Sequence, residues 1–243
     1  MSHNTHDYPP PTFAVTVDIL VLTIEDGKLK VLLIEHDEAP FRGCVALPGG
    51  FVGPDETLRE AAERELKQDT NITVRGRIDL RQFRSYYVPQ RDPRQPITTV
   101  VYWTIINSDK LARILAAGNI RTAALRPYKS VASGRIDLAF DHKRIIRDGV
   151  KRIRRRIEGT TVATKFLKKT FTVTDLRKAY EIMWDATLDK GNFQRKVINC
   201  VDFLIDTLTE RGSASSGRPA ALYTAGPARF LTSTISMPDK SWL

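Results

Sequence analysis

Cysteine is scarce in this chain: two of 243 residues, Cys44 and Cys200. Their separation fits no metal-binding spacing, and one pair of thiols cannot build a disulfide framework. Both read as reduced, buried thiols of a cytoplasmic protein. Long apolar runs are missing as well. None approaches the roughly 18 residues needed to span a bilayer, so no membrane partner is expected. The opening MSHNTHDYPPP lacks the apolar core of a signal peptide. Residues 1–11 read as a disordered tail. No internal repeat is found.

Acidic residues are short in one half only. Residues 141–243 hold 20 Lys and Arg against 11 Asp and Glu, whereas residues 1–140 hold 18 against 17. Nearly all of the net +10 therefore sits in the last two fifths of the chain. Such asymmetry points to a near-neutral module joined to one that meets a polyanion. The length allows one large domain or two ordinary ones. A content of 42% hydrophobic and 27% charged residues is that of a soluble globular chain.

The first module alternates strands and helices. FAVTVDILVLTIEDGKLKVLLIEH (13–36) reads as two strands around an Asp26-Gly27 turn. ALPGGFVGPDE (46–56) is a Gly/Pro loop, and TLREAAERELKQ (57–68) has helical periodicity. Residues 72–88 and 97–106 read as strands separated by the polar loop PQRDPRQP. SDKLARILAAG (108–118) reads as a helix capped by Ser108 or Asp109, with Gly118 past its end. Residues 12–140 are thus a mixed α/β domain.

A basic helix follows at 140–157, with Ile145, Ile146, Val150, Ile153 and Ile157 on one stripe. It can serve as interdomain linker, dimer contact or backbone contact. Eight cations between 143 and 156 favour a linker (141–158) with some cations facing DNA, because charge is depleted in interface cores. Three short helical segments and a hairpin then give the order of a winged helix-turn-helix at 159–226, before a tail at 227–243. Thr174 and Asp189 are the expected caps of its second and third helices. Phe193, Val197 and Val201 are expected to face its core.

Two segments carry chemistry. Gly50, Glu56 and Arg64-Glu65-Leu66 stand at the spacing G-x5-E-x7-R-E-U, with U aliphatic. This resembles the Nudix box, a loop–helix–loop whose acids hold a divalent metal against a pyrophosphate. The resemblance implies an α/β/α Nudix sandwich. The helix face departs from the family pattern: Gln68 and Asp69 stand for two glutamates and Asn71 for glycine. Gln68 lacks a charge and Asp69 reaches about 1.5 Å less far. The remnant acids are Glu56, Glu65 and Asp69. No catalytic residue is assigned, no cofactor is required, and a weak Mg²⁺ site is expected at most, at Glu65 and Asp69. Hydrolysis is expected to be weak or absent. Asn71 tolerates the left-handed geometry that the lost glycine would supply.

The second segment, Arg91-Asp92-Pro93-Arg94 before a strand, resembles Nudix proteins that act on ADP-ribose. It implies an effector site at Gly50, Phe51, Arg91, Asp92 and Arg94. Arg91 and Arg94 would donate to phosphate or ribose; Asp92 would fix the loop or accept from a ribose hydroxyl. The tryptophan common before Ala-Leu-Pro-Gly-Gly is Val45 here. His142 is read as a capping or packing residue at a helix start.

LAFDH, FTVTDLRKAYE, LDKGNFQRK and GRPAALY complete the pattern. With the degenerate box they resemble the Nudix-related transcriptional regulators of NAD metabolism, the NrtR family. The resemblance implies a homodimeric repressor of NAD biosynthesis or salvage genes. It would sense ADP-ribose or a related NAD metabolite and bind palindromic double-stranded operator DNA. The residues themselves suit that role. Asn192, Gln194 and Arg195 can read base edges. Lys190 and Lys196 suit phosphate. Arg211 and Arg218 flank a small-residue tip suited to a wing. The rival reading is an active ADP-ribose pyrophosphatase with a basic accessory domain.

Overall fold

The structure is a computed structural model that describes residues 13–76, 78–118, 122–212 and 219–238. Strands β1 (Ala14–Glu25) and β2 (Lys28–Glu35) form the hairpin expected around Asp26-Gly27. Both turn residues have positive φ (51° and 68°), the primed turn whose twist matches that of paired strands. Short β3 (Val45–Ala46) and β4 (Gly49–Phe51) flank Leu47-Pro48 and precede the loop into helix α1 (Leu58–Thr70). Next come β5 (Arg81–Tyr86), β6 (Ile97–Ile105), α2 (Ser108–Gly118), β7 (Ala123–Pro127), α3 (Tyr128–Ser133) and the long α4 (His142–Gly159). The sheet runs β3-β2-β1-β6-β5, with β4 beside β1 and β7 beside β2. Strand β1 pairs parallel with β6; the other pairs are antiparallel.

Strand alternation divides the core. Val17, Ile19, Val21 and Leu32 meet α1 and α2 through Ala61, Ala62, Leu66 and Leu111. Leu20, Leu22, Val31 and Leu33 face the other way, toward Ile145, Ile146, Val150, Ile153 and Ile157 of α4. The result is an α/β/α sandwich. Each of those five α4 residues is buried, a gain of about 1.5–3 kcal/mol apiece. Gly149 permits close approach, since a Cβ there would lie 2.4 Å from Leu20 Cδ2.

The second half is built from a 3-10 helix (Thr161–Phe166), α5 (Val173–Trp184), α6 (Lys190–Ile198) and the hairpin β8 (Leu204–Arg211) and β9 (Ala220–Ala225). Phe171, Tyr180, Trp184, Phe193 and Phe203 fill its core. That core is continuous with the α4 side of the large sheet. Among the described residues no helix is long and apolar enough to cross a membrane.

Several local expectations need correction. The strand expected at 72–88 is confined to β5, because Gly76 turns the chain at φ 62°. Asn107, rather than Ser108 or Asp109, caps α2: its side chain accepts from Lys110 N–H at 3.4 Å and its carbonyl from Leu111 N–H at 2.9 Å. Gly118 closes that helix instead of following it. Thr172, not Thr174, caps α5, in a reciprocal box with Asp175. Asp189 does cap α6, accepting from Asn192 N–H at 2.7 Å. Val201 is 65% exposed, because α6 stops at Ile198 and the four-residue repeat loses its helix. Cys200 is buried, but Cys44 is only half-buried; both are free thiols.

Candidate effector cavity and nucleic-acid interface

The box helix is locally well determined. Thr57 and Glu60 form a capping box at its start. Asn71 ends it at φ 60°, in the left-handed conformation expected of it. Arg64 organises the face. Its guanidinium lies 2.6 Å from Glu56 Oε1 and 2.6 Å from Glu65 Oε1, and donates to Gln68 Oε1 at 3.0 Å and Phe51 O at 3.0 Å. Hydrogen bonds from Arg64 and from Gly53 N–H hold the Glu56 carboxyl down at about 2. Gly50 makes room for this arrangement, since a Cβ there would lie 2.3 Å from Glu65 Oε1.

Asp69 behaves differently. Burial pushes its carboxyl up to about 6, against the pull of a 3.0 Å hydrogen bond accepted from Gly49 N–H; the nearby Glu65 charge adds to the rise. The acids that would hold the box's metal, Glu65 and Asp69 among them, already have partners in this arrangement. Glu56 is spent on Arg64, the Gln68 oxygen is turned to the same guanidinium, and Asp69 is tied to the loop. Among the described residues no three Asp, Glu, His or Cys side chains converge as a metal shell.

Above this helix lies a cavity of about 510 Å³. It is lined by Gly50, Phe51, Arg91, Asp92 and Arg94, the five residues expected at an effector site, together with Glu65 and Asp69. Glu56 is not in the lining. The arginines are less available than the sequence implies. Arg91, whose side chain is 4% exposed, is 2.6 Å from Asp141 Oδ1 and 3.7 Å from Asp18 Oδ2. Arg94 pairs with Asp92 at 2.8 Å and Glu38 at 3.2 Å, and lies over the Phe140 ring at 5.8 Å. Asp92 takes the first of its two expected roles, fixing the loop by accepting from Arg94 N–H at 2.9 Å.

Among the lining residues that escape the sequence reading are Asp18, His36 and Phe140, and His142 forms part of the same wall. His142 is a packing residue, not a cap. Its Nδ1 accepts from Leu47 N–H at 3.0 Å and its Nε2 is 3.4 Å from Asp18 Oδ1. Burial opposes the charge of Asp18, yet His142 and Arg91 together outweigh it and hold that carboxyl below its usual range. A signal for Asp18 existed: a lone acid inside the apolar run AVTVDILVLTIE has to find a buried partner. Phe140 left none. It packs at a tilt against Phe41 (centroids 4.4 Å) and edge-to-face with His36 (5.4 Å), with φ 54°, a conformation rarely adopted by aromatics.

On the second domain, α6 buries Phe193 and Val197 and exposes Lys190, Asn192, Gln194, Arg195 and Lys196. The five expected DNA-facing residues of this helix thus share its outer surface. Arg195 donates to Asn192 Oδ1 at 2.8 Å, which sets the two side chains side by side, and Lys196 reaches Thr234 O at 3.4 Å. Arg211 at the end of β8 is partly engaged, 2.9 Å from Asp175. Arg218 lies outside the described residues.

Known proteins share this combination. Residues 12–148 match the NUDIX domain and residues 163–225 the NrtR DNA-binding winged helix domain. The chain is 30% identical, over 89% of its length and 83% of the relative's, to the ADPR responsive transcriptional repressor NtrR of Acinetobacter baylyi. Its first part is 35% identical to an ADP-ribose pyrophosphatase of Methanocaldococcus jannaschii, covering 56% of this chain and 72% of that protein. The crystal structure of Shewanella oneidensis NrtR complexed with a 27mer DNA superposes with a TM-score of 0.78 at 29% identity, over 91% of this chain and 99% of that one. A NUDIX sandwich with a degenerate box, continued through one helix into a winged helix, places this chain in the NrtR family of Nudix-related transcriptional regulators.

Proposed function

We propose that this protein is a transcriptional repressor of NAD biosynthesis or salvage genes that binds palindromic operator DNA as a homodimer and responds to ADP-ribose or a related NAD metabolite. The metabolite occupies the cavity above α1, and α6 enters the major groove. The observation that carries this reading is the path of α4. Its first turn is part of the cavity wall, through Asp141 on Arg91 and His142 on Leu47. Its last turns are bonded to the winged helix: Trp184 Nε1–H donates to Arg154 O at 3.0 Å and Tyr180 O–H to Ile157 O at 3.0 Å. One continuous helix therefore runs from the cavity wall to the winged helix that carries α6. A metabolite that binds two arrangements of that helix unequally shifts DNA affinity by at most that difference, and DNA changes metabolite affinity by the same factor in return.

The test is fluorescence anisotropy on a labelled duplex from upstream of the host's NAD-biosynthesis genes, at fixed salt, with ADP-ribose titrated in. Binding that beats scrambled DNA and changes with ADP-ribose supports the reading. Equal binding to scrambled DNA overturns it for that duplex. The hydrolase reading is favoured by the intact Glu56–Arg64–Glu65 network. It requires AMP release from ADP-ribose at about 1 s⁻¹ or faster. We expect far slower release, and a gain in Gln68→Glu.

A further inference from the structure

The outer flank of α4 forms, with α3, an open groove of about 700 Å³ whose purpose the cavity and α6 do not explain. Lys143, Arg144, Arg147, Lys151 and Arg154 line it, with Tyr128 on the facing wall. The cations share one flank of α4 beside its buried stripe, with Arg144 and Arg147 exposed and Lys143, Lys151 and Arg154 half-buried. Its two acids are already engaged: Asp141 with Arg91 at 2.6 Å, and Asp148 with Tyr86 Oη at 3.1 Å and Arg84 at 3.8 Å. The groove is thus strongly cationic.

Lys143, Arg147 and Lys151 follow one another at i, i+4, a spacing at which like charges repel and weaken a helix. The position of the groove suggests what offsets the repulsion. Arg154 donates to Met183 O at 2.5 Å and stacks over Tyr128 at 5.5 Å, so the groove ends against the last turn of α5. Immediately beyond lies the turn that leads to Lys190, the first residue of α6. In helix-turn-helix docking, the start of the recognition helix is the part that meets the bases. A duplex held there passes the open end of the groove. From Arg154 back to Lys143 the helix rises about 16 Å, over which one DNA strand presents about five phosphates.

We propose that the α4 groove is a second DNA-backbone site, taking phosphates of the duplex outside the base pairs read by α6. The assignment rests on the DNA-binding reading of the winged helix. It makes α4 itself part of the DNA interface, so a movement at its cavity end changes backbone contacts directly.

The test uses the full chain and an operator selected from a random-sequence duplex pool, in two lengths. One duplex is trimmed to the palindrome; the other carries about one extra helical turn on each side. Affinity is measured by anisotropy across a salt series for the wild type, Arg147→Ala, and Lys143→Ala/Arg147→Ala/Lys151→Ala. Each phosphate contact contributes about 0.9 to the slope of log K against log salt. On the long duplex the single variant is expected to lower the slope by about 0.9 per protomer and the triple variant by about 2.7. On the trimmed duplex both are expected to match wild type. Unchanged slopes on the long duplex, or equal losses on both lengths, overturn the proposal. Melting temperatures of the variants show that they fold. A pool that yields no preferred sequence overturns the regulator reading instead; the same variants on random duplex then still report whether the groove holds phosphate.

Discussion

Arg91 offers a sharp test of how the cavity is built. Its side chain is 4% exposed, and its guanidinium lies 2.6 Å from one Asp141 oxygen and 3.7 Å from Asp18. Arg91→Ala removes the only arginine touching either carboxylate among the described ion pairs, and leaves half-buried Asp141 without its cation and buried Asp18 with His142 alone. Breaking a buried pair from one side costs about 3–5 kcal/mol, because the remaining charge cannot return to water. For a chain of this size that corresponds to a fall in Tm of roughly 6–20 °C. The assay is thermal and urea unfolding of four proteins: wild type, Arg91→Ala, Asp141→Asn, and the double variant. The double variant should recover part of the loss, giving a coupling above about 1 kcal/mol. A stable Arg91→Ala that simply fails to bind ADP-ribose would refute this reasoning. Arg91 would then be a ligand donor, as its motif implied, and not a brace of the cavity wall.

Three further outcomes are expected. Asp69 is raised from 3.8 to about 6, so the folded chain holds its proton more tightly than the unfolded one. Its contribution favours folding in acid and turns against it as pH rises through that window; Asp69→Asn should therefore add about 1–2 kcal/mol at pH 8, after discounting for solvent screening, and nothing near pH 4, by urea unfolding at both values. Thr172→Ala dismantles the α5 capping box and should cost about 0.5–2 kcal/mol in the same measurement, whereas Thr174→Ala, at the position sequence favoured, should cost little. Arg195→Ala should cost about 1–3 kcal/mol in operator binding and relax preference at one base pair, read by anisotropy on single-base variants; a uniform loss on all sequences would make it a phosphate contact.

Legibility followed locality. Turn chemistry at Asp26-Gly27, the apolar stripe of α4 and the left-handed Asn71 are set by neighbours a few residues apart, and all were readable. The cap of α5 was misplaced by two residues because both Thr172 and Thr174 offer a hydroxyl, and only the reciprocal partner Asp175 separates them. The cavity was half legible. Its five motif residues do meet on one surface, since the box and the Arg91–Arg94 loop each carry their own signature. What no motif disclosed was the commitment of those arginines. The acids that occupy Arg91 come from β1 and from the start of α4, far apart in sequence. The placement of Phe140 depends on the same long-range closure.

The NUDIX match stops at Asp148, within the first half of α4, while the helix runs on to Gly159. Val150, Ile153 and Ile157, beyond that limit, belong to the same buried cluster as Leu20 and Leu22 of the sheet and Tyr180 and Trp184 of the winged helix. The two domains are therefore not interchangeable parts. A chimera spliced at the family boundary would strip the sheet of its cover and expose aliphatic surface on both pieces. Grafting a different NUDIX domain onto this DNA-binding head would first require rebuilding the wall they share.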